Sequence, residues 1–294
     1  MNIPDFRFHQ PESIKEAIAL VKRSTDGSFI AGGTDLLVEI KKGLKSHSDI
    51  ISLNGIKVLN QIAEDARNIY IGSTATHNNI INSALVRKHF PSLVNALSRI
   101  GSEQIRNTGT IGGNLCTGAS CCDSAPVLMV LNAMVEISSS DSVKTVPLKD
   151  FFVFNKKTIL IKGELVTKII IPKTTQGTGV HFEKFGLRNA ASISVVSVAV
   201  MVKSDRNYCI DACVVIGAVA PTPRISGKAT DILKGKKISE LYPNSVILKE
   251  AGQAASDDAI PIDDIRGGVQ YRRELLKVLT ERAVVKAVEK AEGK

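Results

Sequence analysis

Two glycine pairs, each lodged between stretches of regular pattern, restrict this chain more than any other feature. They fall in "SFIAGGTDLLVEIKKG" (28–43) and in "TIGGNLCTGASCCDSAP" (110–126). In the first, an apolar strand-like run enters Gly32-Gly33 and a second apolar element leaves it, so mixed elements must be joined there by a tight turn of bare backbone. Such a turn is either punctuation alone or a cradle whose N–H groups face an anionic ligand such as a pyrophosphate. One pair is compatible with both readings. Two pairs, followed by polar Thr34 and Asn114, bring the cradle reading level with the plain turn. Neither stretch is GxGxxG or GxxxxGK[ST], which argues against an ordinary nicotinamide-binding domain and against an NTPase loop.

The flanking pattern is mixed throughout. Ile14, Ala17, Ile18 and Val21 recur at helical spacing behind Ser13, a capping residue type. Residues 49–56 and 68–76 read as short strands, 84–101 as helix interrupted at Pro91, 134–152 as a hairpin, and 163–173 as a strand ending at Pro172. The polar "KTTQGTG" (173–179) suits a crossing between domains. Beyond it, 193–204 and 207–220 are β-branched strands, and 271–291 is a long helix. At 294 residues and 44% hydrophobic, the chain is long enough for two or three folding units.

Composition narrows the function classes. The net charge of +9 raises nucleic acid as a partner, but the basic residues are scattered in small groups with few aromatics between them, which favours solvated surface or a protein interface. No run of eighteen apolar residues occurs and the first residues lack a secretory pattern, so a cytoplasmic protein without a membrane span is expected. Five cysteines, three of them crowded together, fit a reducing compartment without disulfides.

Cys116, Cys121 and Cys122 raise the question of a metal. Thiolate sites for zinc or iron–sulfur clusters need about four ligands, commonly in CxxC pairs, and the spacing here is C-x4-C-C. Cys209 and Cys213 would share one face of a strand in another domain, where buried thiols act as small hydrophobes. No metal site is expected.

Five segments in fixed order carry a family resemblance: "AGGTDLL", "QIRNTGTIGGNLC", "KFGLRNAASISVVSVAV", "GAVAPTPRI" and "PIDDIRGGVQYRRELLKVLTERA". Together they make the chain similar, over nearly its whole length, to the FAD-binding medium subunits of molybdenum hydroxylases, the family of xanthine dehydrogenase, carbon monoxide dehydrogenase and aldehyde oxidoreductases. The resemblance implies an α+β fold: a PCMH-type FAD-binding domain over 1–176, in subdomains of about 1–55 and 56–176, and a carbon monoxide dehydrogenase flavoprotein-type α+β domain over 177–294. It implies FAD as the cofactor of this chain, with molybdopterin and [2Fe-2S] clusters on a large and a small partner subunit. Electrons from the clusters would pass through FAD to NAD+ or another acceptor. No catalytic side chain is implied, because the flavin does the chemistry.

By the same resemblance, Phe29, Ile30, Ala31, Gly32, Gly33, Thr34 and Asp35 hold the FAD pyrophosphate and ribityl chain from one side. Thr110, Ile111, Gly112, Gly113 and Asn114 hold them from the other. Asp123 falls on an acidic FAD contact, although an aspartate before "SAPVLMVLNA" also reads as a helix cap. Lys184 matches a lysine near the flavin, against the plainer reading of a surface lysine. Val166 and Ile100 match adenine contacts and Ile193 a position beside the isoalloxazine, while on the residues alone all three read as ordinary core positions. Ile100 departs from the aromatic residue often found at its position, so apolar packing would replace ring stacking. The cysteine-bearing insertion of the hydroxybenzoyl-CoA reductase branch is missing, since only eight residues separate Asn114 from Asp123.

Two other readings compete. A free-standing FAD reductase resembling UDP-N-acetylenolpyruvoylglucosamine reductase would need its own substrate carboxylate and proton donor, and no convincing pair stands out. A basic binding module that has lost its cofactor would be colourless.

Overall fold

The computed structural model describes residues 3–293; Met1, Asn2 and Lys294 lie outside the described residues. Three larger sheets follow one another along the chain, and a two-stranded ribbon accompanies the second. The first holds β1 (Arg7–His9), α1 (Ile14–Arg23), β2 (Gly27–Ile30), α2 (Leu36–Lys41) and β3 (Asp49–Ser52). Its strands run parallel in the order β1-β3-β2. Ser13 does cap α1, its hydroxyl accepting from Glu16 N at 3.2 Å, and the helix buries Ala17, Ile18 and Val21.

The second part holds β4 (Ile62–Glu64), β5 (Asn68–Gly72), α3 (His77–Asn82), α4 (Ala84–His89), α5 (Pro91–Ser98), α6 (Glu103–Thr108), α7 (Ile111–Thr117) and α8 (Ser124–Val130). It continues through β6 (Met134–Ser138), β7 (Val143–Pro147), β8 (Phe152–Phe154), β9 (Lys157–Thr158) and β10 (Leu165–Pro172). An antiparallel five-stranded sheet runs β4-β5-β10-β6-β7, with the apolar "GELVTKIIIP" segment supplying its central strand. The hairpin read from sequence is β6-β7, and Pro91 is the first residue of α5, where its missing N–H costs no bond.

The third part is an antiparallel sheet of β11 (Thr178–Gly186), β12 (Ser194–Asp205), β13 (Tyr208–Gly217) and β14 (Arg224–Ile225), followed by α9 (Gly227–Leu233), α10 (Val246–Asp257) and α11 (Val269–Ala291). β12 is buried on both faces, which explains its unbroken β-branched character. Ala199 and Met201 join the core of the second part, while Val196, Val198, Val200 and Val202 join the core under α9–α11. No described helix is long and apolar enough to cross a membrane.

Two local expectations change. The "TIGGN" stretch is not a free turn: Thr110 caps α7 and both glycines lie in its first turn. Cys209 and Cys213 do not share a face either. The ladder slips between Lys203 and Ser204, leaving two residues of β13 against one of β12, so the alternation of side chains inverts. Cys209 enters the core under the helices, and Cys213 packs on the core of the second part.

Candidate functional site

A cavity of about 500 Å³ opens where the three parts meet, a size within the usual range for small-molecule and cofactor sites. Its wall brings together Phe29, Ile30, Ala31, Gly32, Gly33, Thr34 and Asp35 from the loop leaving β2, and Thr110, Gly113 and Asn114 from α7. Ile100, Asp123, Lys184 and Ile193 complete the residues anticipated from sequence. Ile111, Gly112 and Val166 do not reach it. Ile111 and Val166 are core residues, and Gly112 is buried behind the wall.

Segment 109–112 is laid against 73–77 as an extra strand-like rung. His77 N donates to Gly109 O, Ile111 N to Ala75 O and Gly112 N to Ser73 O, at 2.9–3.0 Å. A Cβ on Gly112 would stand 2.6 Å from Ser73 O, so this glycine serves the close approach of two backbones. The loop at 31–35 then seats on the same segment: a Cβ on Gly32 would lie 2.0 Å from Thr108 O, again backbone on backbone. Gly33 takes φ +69°, a conformation that favours glycine.

What this packing leaves over is a row of donors. The backbone N–H groups of Gly32, Gly33, Thr34 and Asp35 make no hydrogen bond to any described residue. Successive free N–H groups around a left-handed glycine form a concave donor set suited to phosphate oxygens. Thr117 Oγ1 ties Asp35 to α7 at 3.2 Å. Lys45 and Lys156 both engage Glu39, at 2.8 and 2.6 Å, and all three line the cavity. The Lys156 contact, like Thr117, fastens the first part of the chain to the second.

At another point of the wall, Asp123 and Lys184 form a buried ion pair at 2.6 Å, 5% and 7% exposed. Ser194 donates to the second oxygen of Asp123, and Lys184 Nζ also donates to Arg99 O at 2.9 Å. Burial pushes the Asp123 carboxyl up against the opposing pull of Lys184 and Ser194. Asp123 occupies the N-cap position of α8, yet its side chain makes no capping bond. It is therefore spent on Lys184 and Ser194, and Lys184 is not a surface lysine.

The thiols present a different chemistry. Cys116, Cys121 and Cys122 line the cavity, but burial pushes Cys116 and Cys122 up to about 12 and raises Cys121 as well, with the Asp123 charge adding to it. They are protonated hydrophobes rather than thiolates. Cys122 Sγ donates to Asn114 Oδ1 at 3.1 Å, and Ser124 Oγ donates to the same oxygen at 2.7 Å, which together fix the Asn114 amide. Among the described residues no group of three or more His, Cys, Asp or Glu side chains is placed to hold a metal.

Sequence reasoning did not find His77, Lys45, Lys156, Gly101 or Ile105, all of which line the cavity. Each arrives from a separate element, and no short-range spacing marks them.

Comparison with known proteins agrees with this architecture. Residues 4–174 match the family described as FAD binding domain in molybdopterin dehydrogenase, and residues 181–287 match the CO dehydrogenase flavoprotein C-terminal domain. The chain is 33% identical over 288 residues to the nicotine 6-hydroxylase medium subunit of Paenarthrobacter nicotinovorans, covering 98% of this chain and 99% of that one. It is 30% identical over 286 residues to the carbon monoxide dehydrogenase medium chain of Hydrogenophaga pseudoflava, covering 96% of each. A solved chain of carbon monoxide dehydrogenase from Hydrogenophaga pseudoflava superposes with a TM-score of 0.93 at 28% identity over 98% of both chains. A chain of quinoline 2-oxidoreductase from Pseudomonas putida 86 gives 0.92 at 27% over 99% of both.

Proposed function

Because this chain belongs to the family of FAD-binding medium subunits of molybdenum hydroxylases, we propose that it is the electron-transfer subunit of such a complex, acting in the cytoplasm. Its partners on this reading are a large molybdopterin-binding subunit and a small subunit with [2Fe-2S] clusters. Bound FAD would supply the redox chemistry, accepting electrons that originate at the partner clusters and releasing them as a pair to NAD+ or another acceptor.

One observation carries the assignment of the site: the unpartnered N–H row at 32–35 on the wall of a cavity that the glycine-packed loops shape. It fits a dinucleotide, which brings an anionic pyrophosphate and two flat ends. Gly32, Gly33, Thr34 and Asp35 would face the pyrophosphate and ribityl chain from one side, with Thr110, Gly113 and Asn114 on the other. Ile111 and Gly112 would support them from behind. The resemblance places Ile100 and Val166 at the adenine; Ile100 follows Arg99, whose carbonyl accepts from Lys184 Nζ, so its apolar surface would serve the Lys184 end, while Val166 lies in the core. Asp123, Lys184 and Ile193 lie together where the isoalloxazine would sit, and Lys184 would place a cation beside it. No proton-transferring side chain is required of this chain. We divide the chain into a cofactor-binding part ending near residue 176, itself parted near 55, and a C-terminal part; the loops after β3 and β10 support those limits.

Expression of the chain with and without its candidate partners tests the proposal. The isolated chain is expected to bind one FAD and to show no substrate-dependent turnover. The complex with molybdopterin-binding and [2Fe-2S] subunits is expected to reduce an acceptor, with NAD+ and an artificial dye compared directly. A colourless chain that FAD does not reconstitute, or a fully active lone flavoprotein, refutes it.

A further inference from the structure

Three acidic and three basic side chains line the cavity: Asp35, Glu39 and Asp123 against Lys45, Lys156 and Lys184. Lys184 is spent on Asp123 at 2.6 Å and on Arg99 O at 2.9 Å. The other two lysines converge on Glu39. Lys156 Nζ meets its Oε1 at 2.6 Å and Lys45 Nζ its Oε2 at 2.8 Å, so both carboxylate oxygens are taken. Glu39 lies one helical turn beyond Asp35, the last residue of the free N–H row, and its own N–H donates to Asp35 O at 2.9 Å. Lys156 is near enough to Asp35 for that carboxylate, added to Glu39, to raise it above the ordinary lysine value. The lysine pair therefore stands beside the row. Each ammonium has three donors and gives one to Glu39, and the others meet no described residue.

Lys156 is also held at a cost in its backbone. It takes φ +58° in the turn between β8 and β9, a conformation that favours glycine or asparagine. Its N–H donates to Gly118 O at 2.7 Å, and Ser120 N donates to the adjacent Asn155 Oδ1 at 3.1 Å, which fixes the turn against the loop after α7. A long cationic side chain kept where glycine would fit with less strain points to a use for its charge. We infer that Lys156 and Lys45 bind the diphosphate of the ligand, supplying the positive charge that the N–H row at 32–35 lacks, with Glu39 holding both ammoniums ready. The inference rests on the cofactor reading given above and adds side-chain contacts to its backbone cradle. An N–H row contributes dipoles without net charge, and the carboxylate of Asp35 opposes an anion that comes to it. Two ammoniums with donors free to turn offset that repulsion.

The test is calorimetric binding of FAD, ADP and inorganic pyrophosphate to the full-length apo chain, with thermal unfolding measured alongside. Lys156→Gly relieves the left-handed backbone, so apo stability is expected to stay level or rise while all three ligands weaken about fivefold. Lys156→Arg is expected to recover most of that loss. The double variant Lys45→Met, Lys156→Gly is expected to weaken FAD about twentyfold and to flatten the dependence of its affinity on salt. Glu39→Gln frees both ammoniums and is expected to tighten the three ligands or leave them unchanged. A Glu39→Gln chain that loses as much affinity as Lys156→Gly shows that the cluster only braces the wall, and overturns the inference. FAD affinity in the double variant within twofold of wild type overturns it too. A wild-type chain that binds pyrophosphate through Lys156 but no FAD overturns the cofactor reading alone, and one that binds none of the three overturns both.

Discussion

Replacing Lys184 by Met should reveal how much of this fold depends on one buried charge pair. Asp123 comes from the turn before α8 and Lys184 from β11, so their 2.6 Å contact spans the two family-matched segments. Removing the ammonium leaves a carboxylate that is 5% exposed with only the Ser194 hydroxyl, a loss of about 3–5 kcal/mol for a broken buried pair. The folded chain can escape by protonating Asp123, and that sets a limit that depends on pH. From the ordinary carboxyl value of 3.8, neutralisation costs about 1.4 kcal/mol per pH unit, hence about 2 kcal/mol at pH 5.5 and more than the pair itself at pH 8. The sign follows from linkage: a carboxyl raised in the folded state binds more protons there than when unfolded, so stability falls as pH rises. Thermal unfolding of the apo full-length chain should therefore show a deficit of about 10 °C at pH 8 that shrinks to about 5 °C at pH 5.5. The double variant Asp123→Asn, Lys184→Met should recover at least half of the loss at pH 8. A deficit below about 1 kcal/mol, or one equal at the two pH values, would show that Asp123 is solvated or paired elsewhere and would refute the reasoning.

Two further outcomes follow from the glycine packing and the thiols. Gly32→Ala brings a methyl to 2.0 Å from Thr108 O, a backbone atom that cannot swing aside, so the 31–35 loop must lift. A loss of about 1–3 kcal/mol in stability and at least tenfold weaker FAD binding are expected, and unchanged binding in titration would contradict the account of the loop seat. Cys116 and Cys122, with thiols pushed up to about 12, should resist iodoacetamide at pH 8 in the folded chain and react fully once unfolded. Native modification at the rate of a free thiol, or stoichiometric zinc or iron lost in a Cys121→Ser, Cys122→Ser double variant, would overturn the reading of these thiols as packing groups.

Much of the fold was legible because local patterns and tertiary demands agree. The β6-β7 hairpin, the break at Pro91, the Ser13 cap and the strand ending at Pro172 all sit where short-range pattern places them. The long last helix begins at Val269, two residues before the sequence pattern places it. Disagreement arises where a distant segment decides. Two glycines argue against a helix at 111–117, yet the Thr110 cap and the bonds of 109–112 to 73–77 impose one. A bulge in β13 separated Cys209 from Cys213, and nothing in the alternation of that strand foretold it. Asp123 fits a cap in sequence, and only the arrival of Lys184 and Ser194 from β11 and β12 shows where its charge goes. His77 was invisible for the same reason.

Met201 and Val202, adjacent in β12, face two different hydrophobic cores. Phe182, Ala199, Met201 and Val215 lie beyond the polar crossing at 173–179 and still complete the interior of the segment before it. The two regions that family comparison distinguishes are thus successive along the gene but not separable as objects. A duplication or recombination that cut between them would expose a shared wall on either fragment. A cut between them would leave neither fragment a closed core.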